Sequence, residues 1–124
     1  MKVSDKYLLD LLREVVSIRA GGRCEYPGCC ETSCDPHHWY SKKNLSIRYD
    51  PDACLYLCAE HHTGGTYSAH RSPELFKNKI ISSGVRSQEW ADSILIKKNK
   101  IIVCHIDDFR EDSKEILIAE RLAA

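Results

Sequence analysis

The sequence predicts an α+β fold, and three observations carry that prediction. Apolar residues recur at helical spacing near the amino terminus, a short apolar run follows a turn-rich stretch, and Cys and His pairs sit at spacings that suit metal ions. At 124 residues the chain reads as one domain: an N-terminal helix over 1–22, a metal-rich core over 23–84 and a C-terminal extension over 85–124. So small a domain buries a limited share of its surface, and a metal cross-link would add stability.

Tyr7, Leu8, Leu11, Leu12, Val15 and Val16 fall on one helical face, with Ser4 as N-cap and Gly21-Gly22 as the stop. From Arg23 to Asp52 the chain is rich in Cys, Pro, Gly, Ser and charge, which predicts a knuckle, a short strand and a long loop in which metal ligation replaces a core. Cys54-Leu55-Tyr56-Leu57 is a strand candidate, running into Cys58-Ala59-Glu60-His61-His62 at the start of a helix that Gly64-Gly65 interrupts. Ser72-Pro73-Glu74 combines an N-cap, Pro at the first helical position and an acidic first turn, so a helix is expected through Leu75, Phe76, Ile80 and Ile81 to Gly84. Ser93–Ile96 and Ile101–Cys104, separated by Lys97-Lys98-Asn99-Lys100, suggest a β-hairpin, with helix the alternative for its first half. A last helix is expected through Ile116, Leu117, Ile118 and Leu122.

With 18 basic and 18 acidic residues the formal charge is zero, so affinity for a polyanion has to be local. Seven cysteines are an odd count, and the first residues carry no secretory pattern. That predicts a cytoplasmic protein with reduced thiols, in which clustered Cys and His mean metal. No apolar run approaches the roughly 20 residues that cross a bilayer, so no membrane role is expected.

His37-His38 and His61-His62 are doublets, and neighbouring side chains diverge on a strand or a helix. Each doublet can therefore feed two sites, one a closed structural zinc and the other an open catalytic ion with a histidine base beside it. Cys24, Cys29, Cys58 and His61 make the tetrahedral set, with Pro27-Gly28 turning the chain between the first two. Cys30 and Cys34 are alternatives to Cys29, while Cys54 and Cys104 lie in apolar runs and read as core. His105 reads as a non-ligand on a strand-like run. The second constellation is Asp35-Pro36-His37-His38 followed by His62 and His70.

Cys24-Glu25-Tyr26-Pro27-Gly28-Cys29, Asp35-Pro36-His37-His38-Trp39, Arg48-Tyr49-Asp50-Pro51-Asp52, Leu57-Cys58-Ala59-Glu60-His61-His62 and Ser68-Ala69-His70 together resemble the HNH (ββα-metal) endonucleases, in particular small phage and bacterial members with a zinc knuckle. The resemblance runs from Cys24 to Phe76, under half of the chain. It implies a ββα-metal core and hydrolysis of DNA phosphodiesters to 5′-phosphate and 3′-hydroxyl ends, with RNA as an alternative substrate. It also implies that His37 and His62 hold a divalent cation such as Mg2+, Mn2+, Ni2+ or Zn2+, that His38 is the general base, and that His70 is a further ligand or a phosphate contact. The family's middle Asn falls on Ala53, so Asp52 or Asn44 is left to tie the loop that orients the base.

Arg48, Lys42 and Lys43 lie on the intervening loop as candidate phosphate contacts, Arg48 foremost. Trp39 and Tyr40 are expected to divide between core packing and stacking on a base or sugar. A C-terminal hairpin would offer a homodimer contact. Two other classes compete: a non-catalytic zinc-knuckle module that binds nucleic acid through a degenerate cleft, and a zinc-stabilised adaptor that binds protein through apolar segments from Ile94 onward.

Overall fold

In the computed structural model, which describes residues 2–123, the opening helix α1 spans Asp5–Arg19. The Ser4 hydroxyl accepts the Tyr7 amide at 3.1 Å and fills one of the donors that a helix start leaves open. At the other end Gly21 and Gly22 take positive φ of 68° and 74°. The Gly22 amide then reaches back to the Ser17 carbonyl at 2.9 Å and that of Gly21 to Ile18 at 3.1 Å, the two-bond glycine cap. Leu8, Leu11, Leu12, Val15 and Val16 are buried as their spacing predicts.

Strands β1 (Cys34–His38) and β2 (Cys54–Cys58) pair antiparallel, with Cys34 opposite Cys58 and His38 opposite Cys54. Every residue of β2 is buried, and α1 packs across both strands. The chain between them forms a short helix α2 (Leu45–Arg48) and a 3-10 turn over Pro51–Ala53, opened by the Asp50 carboxylate accepting the Asp52 amide at 2.9 Å. This stretch is not coreless, as the sequence suggested. Trp39, Ile47 and Tyr49 are buried in the main cluster, too far apart along the chain to show a period.

After β2 comes a π turn over Glu60–Gly64, closed by the Gly65 amide on the Glu60 carbonyl at 2.8 Å, and then helix α3 (Pro73–Ser82). The C-terminal third corrects the reading. Ser93–Ile96 belongs to helix α4 (Gln88–Lys98), and Ile101–Cys104 is irregular, so no hairpin forms. The Ser87 hydroxyl caps α4 by accepting the Trp90 amide at 3.0 Å, and Ala91 and Ile94 face the core, which together override the strand-like run. Cys104, expected in the core, is exposed. Helix α5 (Ile106–Ala123) starts ahead of Ile116, with His105 Nδ1 accepting the Asp107 amide at 3.1 Å. It packs along α1, where Leu117 is buried and Arg19 pairs with Glu120 at 2.7 Å. Among the described residues no helix is long and apolar enough to cross a membrane.

Candidate functional site

The sheet and the π turn hold two side-chain clusters. Cys24, Cys29, Cys58 and His61 bring their ligand atoms within 4.8 Å of one another. Zinc–ligand bonds of about 2.3 Å to sulfur and 2.0 Å to nitrogen at tetrahedral angles require edges of about 3.5–3.8 Å. The edges found are Cys29 Sγ to Cys58 Sγ at 3.9 Å, Cys24 Sγ to His61 Nδ1 at 3.7 Å and Cys58 Sγ to His61 Nδ1 at 3.3 Å. This Cys3His cluster could hold a metal such as zinc.

Local structure sets that geometry. Gly28 at φ +80° lets the Cys29 amide close on the Tyr26 carbonyl at 3.0 Å, turning both knuckle sulfurs to one point. Glu25 fixes the knuckle to β2 by accepting the Tyr56 amide at 3.0 Å, and its other oxygen pairs with Arg86 at 2.8 Å. The Tyr26 ring lies on His61, 4.0 Å between centroids and 6° from parallel. Burial pushes the Cys24 thiol up, so a cation is needed to ionise it. Of the two alternatives, Cys30 is exposed, and Cys34 Sγ donates to the Glu31 carbonyl at 3.3 Å, leaving both outside the cluster.

His37, His62 and His70 form the second cluster, again with ligand atoms within 4.8 Å of one another. Their rings stand 4.7–5.4 Å apart and 68–72° from parallel in every pair. His61 and His62 separate at the π turn, one into each cluster. His70 comes back to His62 through the backbone: the Ala69 amide donates to the His61 carbonyl at 2.9 Å and the His70 amide to the His62 carbonyl at 3.0 Å. Gly65 permits this return, because a Cβ there would lie 2.7 Å from the Glu60 oxygen. Phe76 of α3 packs edge-on against His37, with centroids 5.7 Å apart. Burial, with His62 and His70 adding to it, pushes His37 down to about 3, and burial lowers His62 as well. Both are neutral at pH 7, with a lone pair to offer.

His38 shares the 430 Å³ cleft that Pro36, His37, Trp39, Lys42, His62 and His70 line. Its Nε2 lies 2.9 Å from the Arg48 carbonyl. A carbonyl only accepts, so Nε2 carries the proton and Nδ1 keeps the lone pair. Burial lowers its pKa, which keeps the ring in that neutral form. The tie expected from Asp52 or Asn44 is made by neither: Asp52 takes Arg19 and Lys97, and Asn44 donates to the Ser41 carbonyl. Ala53 is wholly buried and uses its carbonyl to receive the Trp39 amide at 2.8 Å. A main-chain oxygen orients the imidazole, and no side-chain motif could have revealed it.

Arg48 is placed otherwise than expected for a phosphate contact. Its Nε and Nη2 clamp the Asp5 carboxylate at 2.8 and 2.6 Å, and Nη1 donates to the Lys42 carbonyl, so the fork is committed. The clamp ties the start of α1 to the residue whose carbonyl holds His38. Lys42 is exposed at the cleft wall and Lys43 is exposed beside it. Trp39 is buried against Trp90, centroids 5.0 Å apart, and Tyr40 is half-buried. Comparison of the chain with protein-family models, curated proteins and solved structures finds no match.

Proposed function

We propose that this protein is a metal-dependent nuclease of the HNH (ββα-metal) type that hydrolyses phosphodiester bonds in DNA. The observation that carries the reading is one cleft holding three convergent imidazoles and a fourth, tautomer-fixed imidazole, apart from a separate Cys3His knuckle. The reading is supported by the placing of His37 and His38 on one strand of an antiparallel pair and of His62 just past the other, with helix α3 following.

Cys24, Cys29, Cys58 and His61 would hold a structural zinc. His37, His62 and His70 would hold a divalent cation such as Mg2+, Mn2+, Ni2+ or Zn2+. Bound there, that cation supplies charge neutralisation at the phosphate and at the departing 3′ oxygen. His38 acts through Nδ1 as general base, taking a proton from the water that attacks phosphorus. The Arg48 carbonyl keeps the opposite nitrogen protonated, so the basic nitrogen is always the same one. Cleavage then leaves 5′-phosphate and 3′-hydroxyl ends.

A binding-only module would follow from loss of the family's Asn at Ala53. The Arg48 carbonyl supplies an orienting contact in its place and favours the enzyme. Supercoiled plasmid, incubated with the zinc-loaded protein and Mg2+, Mn2+ or Ni2+, should be nicked or linearised. His38→Ala should lower that rate by about 10²–10⁴-fold with the thermal transition retained, the range a lost general base gives. Undiminished cleavage by the folded variant contradicts the assignment.

A further inference from the structure

The half-buried ring of Tyr40 carries two lysine amines. Lys77 Nζ, from α3, sits 4.5 Å from its centroid, and Lys98 Nζ, at the end of α4, sits 5.1 Å from it. Lys77 Nζ also lies 4.9 Å over Trp39. Two ammonium groups on one ring repel each other, and the negative faces of the aromatics offset that repulsion only in part. The charge that acts on Lys77 is that of Lys98, with no carboxylate opposing it. The neighbouring Lys97 makes the contrast plain, since it bridges Asp50 at 3.1 Å and Asp52 at 3.2 Å. Among the described residues neither Lys77 nor Lys98 pairs with a carboxylate, so the two ammonium groups share one ring without a counter-ion.

The pair lies one residue out from the histidine cleft, with Lys77 over Trp39. Trp39 lines that cleft, and Lys77 directly follows Phe76, whose ring packs on His37. Lys77 is near enough for its charge to disfavour protonation of His37. Lys42 stands on the cleft wall. The ring of Tyr40 is covered by amines and is poorly placed to stack on a base. What two amines beside a hydrolytic cleft suit is an anion with several oxygens, and a backbone phosphate is the one that a neutral protein meets on a polymer substrate.

We propose that Lys77 and Lys98, gathered on the Tyr40 ring, bind a backbone phosphate of the nucleic-acid strand that enters the cleft. The identity of the polymer rests on the nuclease reading above. The contact fixes the strand's path and reads no base, so it contributes affinity and salt dependence without sequence preference.

The test is fluorescence anisotropy with a fluorescein-labelled DNA duplex and zinc-loaded protein carrying His38→Ala, which prevents turnover, across a salt series. Lys77→Met with Lys98→Met keeps the aliphatic stems on the rings and removes both charges. The slope of log Kd against log salt should flatten by about 0.9, the value for one lost phosphate contact. Lys79→Ala, two positions along α3 and so on another face, should leave the slope unchanged. A folded double variant with the parental slope overturns the proposal and leaves the lysines as pins holding two helices to a ring. If the double variant lacks a thermal transition, Lys98→Gln alone is read in its place, with a flattening of up to about 0.9 expected and no flattening overturning. Absence of measurable DNA affinity in the His38→Ala protein also overturns it. Failure of wild-type protein to cut plasmid, with the salt effect of the lysines intact, removes the nuclease reading and leaves this site standing.

Discussion

The Cys3His knuckle and the three-histidine cleft share the His61-His62 doublet, yet burial acts on their ligands in opposite senses. In the knuckle it pushes the Cys24 thiol up, so the sulfur stays protonated until a cation ionises it. In the cleft it pushes His37 down to about 3 and lowers His62, so those nitrogens are ligands already. The cause is the same in both places, since a low-dielectric surrounding disfavours whichever form is charged. Exposure differs as well: Cys24 and Cys58 are buried, whereas His70 is exposed at the cleft mouth. A more buried site whose ligands ionise on binding makes a staple, and a more open one with ligands ready makes an exchangeable seat.

The sharpest way to break this comparison is to remove one ligand from each site. Cys58→Ser should abolish the cooperative thermal transition, because structural zinc contributes about 10–16 kcal/mol in zinc-folded peptides, more than a small domain's net stability of about 5–15 kcal/mol. His70→Ala, at an exposed position, should shift stability by no more than about 1 kcal/mol while weakening a second, exchangeable ion. Circular dichroism with metal analysis reads both, and a Cys58→Ser protein that melts like wild type would end the distinction.

A proton inventory sharpens the contrast without any mutation. Loading zinc into the metal-free knuckle at pH 7 should release about three protons, one per thiol, since zinc binds thiolate. Adding the second ion should release almost none, because burial keeps His37 and His62 neutral there. Release at that site begins only in acid, where protons compete for the imidazoles. Titration calorimetry in buffers of differing ionisation enthalpy counts both, and equal release at the two sites would refute the assignment.

The smallest effect concerns the clamp beneath His38. Asp5→Asn removes a carboxylate that Arg48 and Tyr49 hold well below the usual range. Both partners are partly exposed, so screening trims the loss to about 1–2 kcal/mol in urea unfolding at pH 7. Cleavage should fall with it, because the Arg48 carbonyl loses its fixed position. Unchanged unfolding and unchanged cleavage would mean that the clamp orients nothing.

Local signals made much of this visible in the sequence. Ser4 and Gly21-Gly22 bound α1 through chemistry confined to one helical turn at each end. The knuckle was legible because paired spacing is itself a constraint on metal geometry. His70 was only half legible, since its return to His62 depends on main-chain bonds from residues 69 and 70 to the carbonyls of 61 and 62. Arg48 misled as to its partner: its guanidinium meets a carboxylate from another element, and its carbonyl holds the His38 ring. Ser93–Ile96 misled too, because β-branched residues read as a strand until an N-cap and two core-facing positions outweigh them.

Anomalous difference diffraction at the zinc edge, on crystals grown with excess zinc, tests the central claim most directly. The account predicts two peaks, one enclosed by Cys24, Cys29, Cys58 and His61, and a second between His37, His62 and His70 that fades when the crystal is washed in zinc-free buffer. A single peak at the knuckle, with the cleft imidazoles turned away from one another, would contradict it.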